Sequence, residues 1–305
     1  MTLKVITPIK MLAPVALVSA LAMVPGLAQA EKTSSLASLK VKDAVVRLVV
    51  IPEDRTDFSY SLTKGSEAFP SLTVRQDGNR LIFDGGLKRK IRGCNNMRGN
   101  AGSMPIDPMK PDPDARITLR DGQDLKLSDA PLLVVRAPKS VAVSTSGASV
   151  VAVGRTQALE VNNAGCGAWT VANVEQRLEI NQAGSGKIVA GNSASTEVSV
   201  AGSGDIYIAD TKALEVSIAG SGDVSARSVE GPVEVSIAGS GDVRIQQGKI
   251  SHLEVSIAGS GDIKAPRVVD LSVSIMGSGD VEVETIEGKR NVSIMGGGRI
   301  NVRKD

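Results

Sequence analysis

Five aspartates, Asp205, Asp223, Asp242, Asp262 and Asp280, each close a Gly-Ser-Gly corner and return every 18 to 20 residues. Six glutamates, Glu160, Glu179, Glu197, Glu215, Glu234 and Glu254, keep the same step upstream. Repeated carboxylates suit three kinds of chemistry. They can hold divalent cations, act in pairs on a glycosidic bond, or accept backbone hydrogen bonds. Stacked about 4.8 Å apart, neighbouring carboxylates repel by somewhat under ~1 kcal/mol per pair in water, so something must compensate. Backbone N–H groups at each turn are one answer, with Arg244 and Lys264 two residues beyond an aspartate. Divalent cations between coils are the other. The calcium-binding nonapeptide needs Gly-Gly-x-Gly-x-Asp twice per coil, whereas Gly-Ser-Gly-Asp occurs once per coil, so the spacing favours the backbone answer. His252 is the only histidine, which excludes a repeated His-metal site and leaves one position where a Ser-His-Asp triad could form. Identical repeated acids read as architecture, since an active site departs from its repeat. No catalytic or metal residue is assigned.

The elements that carry these acids follow from the repeat Val-Ser-Ile-Ala-Gly-Ser-Gly-Asp-Val. Its first glycine falls at Gly165, Gly184, Gly202, Gly220, Gly239, Gly259, Gly277 and Gly296, in steps of 19, 18, 18, 19, 20, 18 and 19 residues. A worn copy, Val143-Ser-Thr-Ser-Gly147, precedes them. Such a period marks a solenoid, in which each repeat buries its apolar side against its neighbours. Within one copy, Leu214, Val216 and Ile218 alternate with Glu215 and Ser217, the pattern of a strand with one buried face. The glycine pairs Gly202/Gly204, Gly220/Gly222, Gly239/Gly241, Gly259/Gly261 and Gly277/Gly279 read as structural turns, sharp corners needing positive φ or close backbone approach. Val224 and Ala226 begin a second side, and Val229 lies on a short third one. The expected fold is all-β: a single-stranded parallel β-helix of about 18–20 residues per coil, right-handed by the crossover rule.

Stacking predicts columns. Val161, Ile180, Val198, Val216, Val235, Val255, Val273 and Val292 form one inward ladder, and Val200, Ile218, Ile237, Ile257, Ile275 and Ile294 another. The glutamates continue as Ser272 and Asn291. Beside them run Ser199, Ser217, Ser236, Ser256, Ser274 and Ser293, then Ala201, Ala219, Ala238, Ala258, Met276 and Met295. This outer wall reads either as a solvated face kept small for stacking or as a docking surface. Aromatic content is only 2%, in keeping with a narrow interior, where Trp169 reads as filler.

Residues 1–30 read as a signal peptide: Lys4 and Lys10, an apolar run from Met11 to Leu27, and Ala28-Gln29-Ala30 as cleavage site. The leader holds two lysines and no acid, so the whole net charge of +2 belongs to it and the remainder is neutral. Nucleic acid therefore has no electrostatic support as a partner. No later segment is apolar and long enough to span a bilayer, and no translocating β-barrel or anchor motif is expected. Two cysteines, Cys94 and Cys166, lie in an exported chain. They either bridge the irregular first half to an early coil or remain separate thiols, and sequence leaves both open.

Residues 31–140 lose the repeat but keep alternating strands at Val46/Leu48/Val50, Phe58/Tyr60/Leu62, Leu72/Val74, Leu81/Phe83, Ile117/Leu119 and Leu125/Leu127. They read as irregular coils of the same solenoid, with aromatics plugging its end. A separate small β-domain is the alternative. The stretch 85–113, with Lys88, Arg89, Lys90, Arg92 and Arg98, reads as a basic loop thrown out of the coil. Residues 141–305 read as the regular solenoid. Val292, Ile294, Ile300 and Val302 fall in its last coil near an open edge, which predicts end-to-end self-association or a partner there.

The Val-Ser-Ile-Ala-Gly-Ser-Gly-Asp-Val/Ile copies, preceded by Val134-Val-Arg-Ala-Pro138 and the strands of 45–84, resemble the head GIN domain of auto-transporter adhesins. These are exported bacterial envelope proteins with a β-helical fold. The likeness covers roughly residues 40–305 and is clearest over 130–305. It implies adhesion and brings no catalytic residues with it. The expectation is an exported, non-enzymatic, adhesin-like or structural binding module of the cell envelope. It would reside in the periplasm, on the outer-membrane surface or outside the cell, need no cofactor, and meet an envelope polysaccharide or protein. A carbohydrate-active β-helix enzyme and a calcium-stabilised solenoid are the alternatives.

Overall fold

Alternating aliphatic and polar residues commit each copy to a strand, and the constant step sets each strand directly over the last. In the computed structural model, which describes residues 36–95 and 107–303, this gives a parallel β-solenoid of about nine turns. The leader read at 1–30 and Arg98 lie outside the described residues. Val161 pairs with Ile180, and the column continues in register through Val198, Val216, Val235, Val255, Val273 and Val292. Val200, Ile218, Ile237, Ile257, Ile275 and Ile294 form the second column beside it. Each buried Val or Ile contributes roughly 1.5–3 kcal/mol against the entropy of ordering its coil, so stability accumulates turn by turn. The variation between 18 and 20 residues is absorbed on the third side. The ladder slips there between Gly231 and Val233, and between Arg244 and Lys249, while the long strands stay in phase.

The second column turns polar in the early coils. Gln182 stacks under Val200, Asn163 under Gln182 and Thr145 under Asn163, all buried. Ser149 Oγ donates to Thr145 Oγ1, Thr145 Oγ1 to Asn163 Oδ1, and Asn163 Nδ2 to Gln182 Oε1 at 2.9 Å. A chain of this kind satisfies polar groups that would otherwise cost stability inside the solenoid. Trp169, fully buried, lies between Val151 and Ile188 in its own column.

At the N-terminal pole, order in space departs from order in sequence. The strand Ala37–Glu53 pairs with Ser140–Val153 on one side and with Arg80–Asp84 and Leu132–Pro138 on the other, all parallel. The first strand of the solenoid is thus sandwiched between segments made later. Ser59–Thr63 lies antiparallel on Leu132–Pro138, and Thr73–Asp77 antiparallel on Arg80–Asp84. These two strands cover the outermost parallel edge, with Tyr60 edge-on to buried Phe83 at 5.0 Å between centroids. Reading all of 31–140 as coils therefore needs correction: the segments that carry Tyr60 and Val74 are antiparallel covers. Covering an edge in this way removes a template for unwanted strand pairing.

A second correction concerns 85–113. Ile91–Asn95 is a strand, joined antiparallel to Arg116–Leu119 and through it to Asp124–Lys126 in a separate three-stranded sheet. This sheet buries Ile117, Leu119 and Leu125 against Val45, Ala148 and Val150, which point out of the solenoid wall. Cys94 on the sheet is disulfide-bonded to Cys166 on the wall, with 5.9 Å between Cα atoms.

Candidate functional site

The aspartate column is built by two glycines with different duties. Gly220, the first of its pair, has φ of +148°, and a Cβ there would collide with the carbonyl oxygen of Gly202 one coil below. The second glycines, Gly204, Gly222, Gly241, Gly261 and Gly279, answer to close backbone approach and not to positive φ, the two alternatives the sequence left open. None of the five has left-handed backbone, and all are buried. A Cβ on Gly222 would lie 2.4 Å from the carbonyl oxygen of Gly204, and one on Gly241 2.3 Å from that of Gly222. Gly261 stands in the same relation to Gly241 at 2.2 Å, and Gly279 to Gly261 at 2.3 Å. At Gly204 the Gln182 side chain is nearest, at 2.5 Å. These positions are glycine because the coil beneath leaves no room for a side chain, not because the chain turns there. The corner thus draws successive coils into close backbone contact, and the following Asp inherits that proximity.

Asp223 Oδ1 accepts from the backbone N–H of Asp242 at 3.0 Å, Asp242 from Asp262 at 2.8 Å, and Asp262 from Asp280 at 2.8 Å. Asp280 accepts from the N–H of Arg299 at 2.9 Å. Each Asp carbonyl in turn accepts from the residue after the preceding Asp, as Asp242 does from Val224. The expectation that each aspartate bonds at its own turn is thereby corrected. The donor is the equivalent residue one coil further on, so the carboxylates stitch turns together. Lys264 does not serve the column either: its Nζ lies 3.2 Å from Glu282. Among the described residues no group of three or more His, Cys, Asp or Glu side chains converges on a metal position. Asp205 pairs in register with Lys187 and begins the column.

The glutamate column stands on the adjoining wall, in unbroken register from Glu160 through Glu179, Glu197, Glu215 and Glu234 to Glu254. Its lower end is partly compensated: Arg177 Nη2 bonds both Glu179 and Glu197, while Asn162 and Asn181 donate to Glu160 and Glu179. Higher up, Glu215 and Glu234 are exposed and carry no ion pair among the described residues. His252, also exposed, has Nε2 3.9 Å from Glu254 Oε2. Glu197, Glu215, Glu234, Glu254, Arg177 and His252 line one depression of about 300 Å³. A second, of about 420 Å³, lies over the adjoining Ser and Ala columns from Ser199 to Ala238. Serine and alanine are short, so the wall recedes between the glutamates and the glycine corner. Met276 and Met295 end the alanine column with 63% and 71% of their surface exposed.

Two features lay outside the sequence reading, the buried Thr145-Asn163-Gln182 chain and the antiparallel pole, while a third, the sheet docked by the disulfide, takes the bridged one of the two cysteine alternatives the sequence left open. The last had a signal. Val45-Val46 and Val150-Val151 place apolar residues on both faces of one strand, which alternation forbids unless both faces are covered.

Comparison with curated proteins gives no match. A family model matches residues 62–228 and again residues 210–305. The double match fits a chain whose turns are interchangeable units, and together the two segments span most of the solenoid. The chain belongs to the family described as "putative auto-transporter adhesin, head GIN domain".

Proposed function

We propose that this protein is an exported, non-enzymatic binding module of the bacterial cell envelope, with the Glu/Ser/Ala wall as its contact surface. One observation carries the reading: the columns on that wall stay in register over at least six turns, forming a repetitive surface with two adjoining depressions. Solenoids lend themselves to such extended contacts because every turn offers the same groups at the same spacing. The family description supports adhesion, and the leader supports export. The partner is an envelope polysaccharide or protein.

The test places bulk on the wall without touching the core. Ser217→Arg/Ser236→Arg, at exposed positions, keeps the circular dichroism and melting temperature of the parent. Retention of the pure protein on isolated cell envelopes is expected to fall roughly tenfold or more. Unchanged retention would remove this wall as the contact surface. Self-association belongs to the same proposal. Val292 and Ile294 are 43% and 39% exposed, and a concentration-dependent dimer in sedimentation velocity is expected to disappear in Ile294→Lys.

A further inference from the structure

Beyond the glycine corners that bound that wall, a groove of about 370 Å³ runs between the docked three-stranded sheet and the corners of the early coils. Arg89 and Arg92 line its sheet side, Ser146 and Ser185 its solenoid side, and Asp43 one flank. Both arginines are exposed, and neither is paired with an acid among the described residues. The described residues hold two non-glycine positions with left-handed backbone, Asp43 at φ +50° and Arg89 at φ +52°, and both fall in this groove. Such conformations cost energy and gather where a side chain must be aimed. The disulfide at Cys94 and Cys166 fixes the two walls to each other beside it.

We infer that this groove is a binding site for an acidic saccharide, a sugar unit bearing a carboxylate or phosphate. The two guanidinium groups supply charged donors in the planar geometry that carboxylate and phosphate oxygens match. Asp43 accepts from sugar hydroxyls. Ser146, whose Oγ already accepts from the N–H of Asp43 at 3.0 Å, keeps its own proton to donate. The volume fits one or two sugar rings. The groove shares no residue with the wall's glutamate depression and meets the depression over the Ser/Ala columns only at Ala183, so substitutions at Arg89 and Arg92 leave the Glu/Ser/Ala wall untouched.

Titration calorimetry on the full mature chain tests it, with trigalacturonate and mannose 6-phosphate as probes and maltotriose as the uncharged control. Saturable binding of at least one acidic probe below about 10 mM is expected, with none of maltotriose. The arm that saturates identifies carboxylate or phosphate as the preferred group. Arg89→Gly removes the guanidinium at a backbone conformation glycine adopts freely, so its melting temperature should not fall. Affinity in Arg89→Gly, and separately in Arg92→Gln, should drop roughly tenfold. No saturation by either acidic probe, equal binding of maltotriose, or unchanged affinity in both variants would each overturn the assignment.

Discussion

Individual glycines and aspartates hold the turns together, and their substitutions are expected to separate by cause. Gly222→Ala drives a methyl group into the backbone carbonyl of Gly204, with the buried Val200 side chain crowding it at 2.9 Å. A loss of roughly 3 kcal/mol in chemical denaturation is expected. Gly78→Ala is the control, because its φ is +58° but the space around it is open; about 1 kcal/mol should be lost there. Asp242→Asn keeps an oxygen to accept from the Asp262 N–H and removes one charge from the column. Its stability should stay within about 0.5 kcal/mol of the parent, or rise, whereas Asp242→Ala should lose about 1 kcal/mol. A larger loss in Asp242→Asn than in Asp242→Ala would contradict the backbone role. Asp210 titrates low because Arg227 hydrogen-bonds its carboxylate, with the arginine's charge adding to the effect. A depressed folded pKa means the contribution is complete above the ordinary carboxylate range and is lost as pH falls through the folded value. Asp210→Asn should therefore melt slightly below the parent at neutral pH, and the two should converge in acid.

Among the elements, the docked sheet depends most on a single link. Cys94 and Cys166 close a loop with a sequence separation of 72 residues, so Cys94→Ser/Cys166→Ser is expected to cost about 2–4 kcal/mol. The cost should be local. The sheet rests on a small second core, whereas the coils share the long one, so limited proteolysis should cut first between 85 and 126. The far-UV signal of the solenoid should persist. The elements also show how far the chain could be read unaided. The strand positions of Leu133/Val135/Ala137 and Leu81/Phe83 follow from alternation alone, but their partners do not. Both lie against Ala37–Glu53, a contact between segments far apart in sequence that no local pattern encodes. The glutamate and serine columns, by contrast, were legible throughout, because their neighbours are the next copies of themselves.

For the molecule as a whole, nearest-neighbour stacking predicts that turns can be removed singly. Val224 pairs with Val243, so deleting residues 224–242 joins Asp223 to Val243 and returns every column to register. That variant should fold, with stability lowered by one interface. Deleting 224–233 instead shifts the following strand out of phase and should yield an unfolded or aggregated chain, as judged by circular dichroism and gel filtration.

Repetition in the sequence was enough to specify the solenoid, its coil length, its inward ladders and its outer columns. In a parallel stack each residue meets its own counterpart one period away, so periodicity is contact information. Tertiary structure alone decided where Ala37–Glu53 is threaded, how the N-terminal pole is covered, that Cys94 and Cys166 bond, which glycine of each pair takes positive φ, and which N–H each aspartate accepts. Those contacts join unlike segments, or one coil to the next coil's backbone, and their energies come from geometry that exists only once the turns have closed on one another.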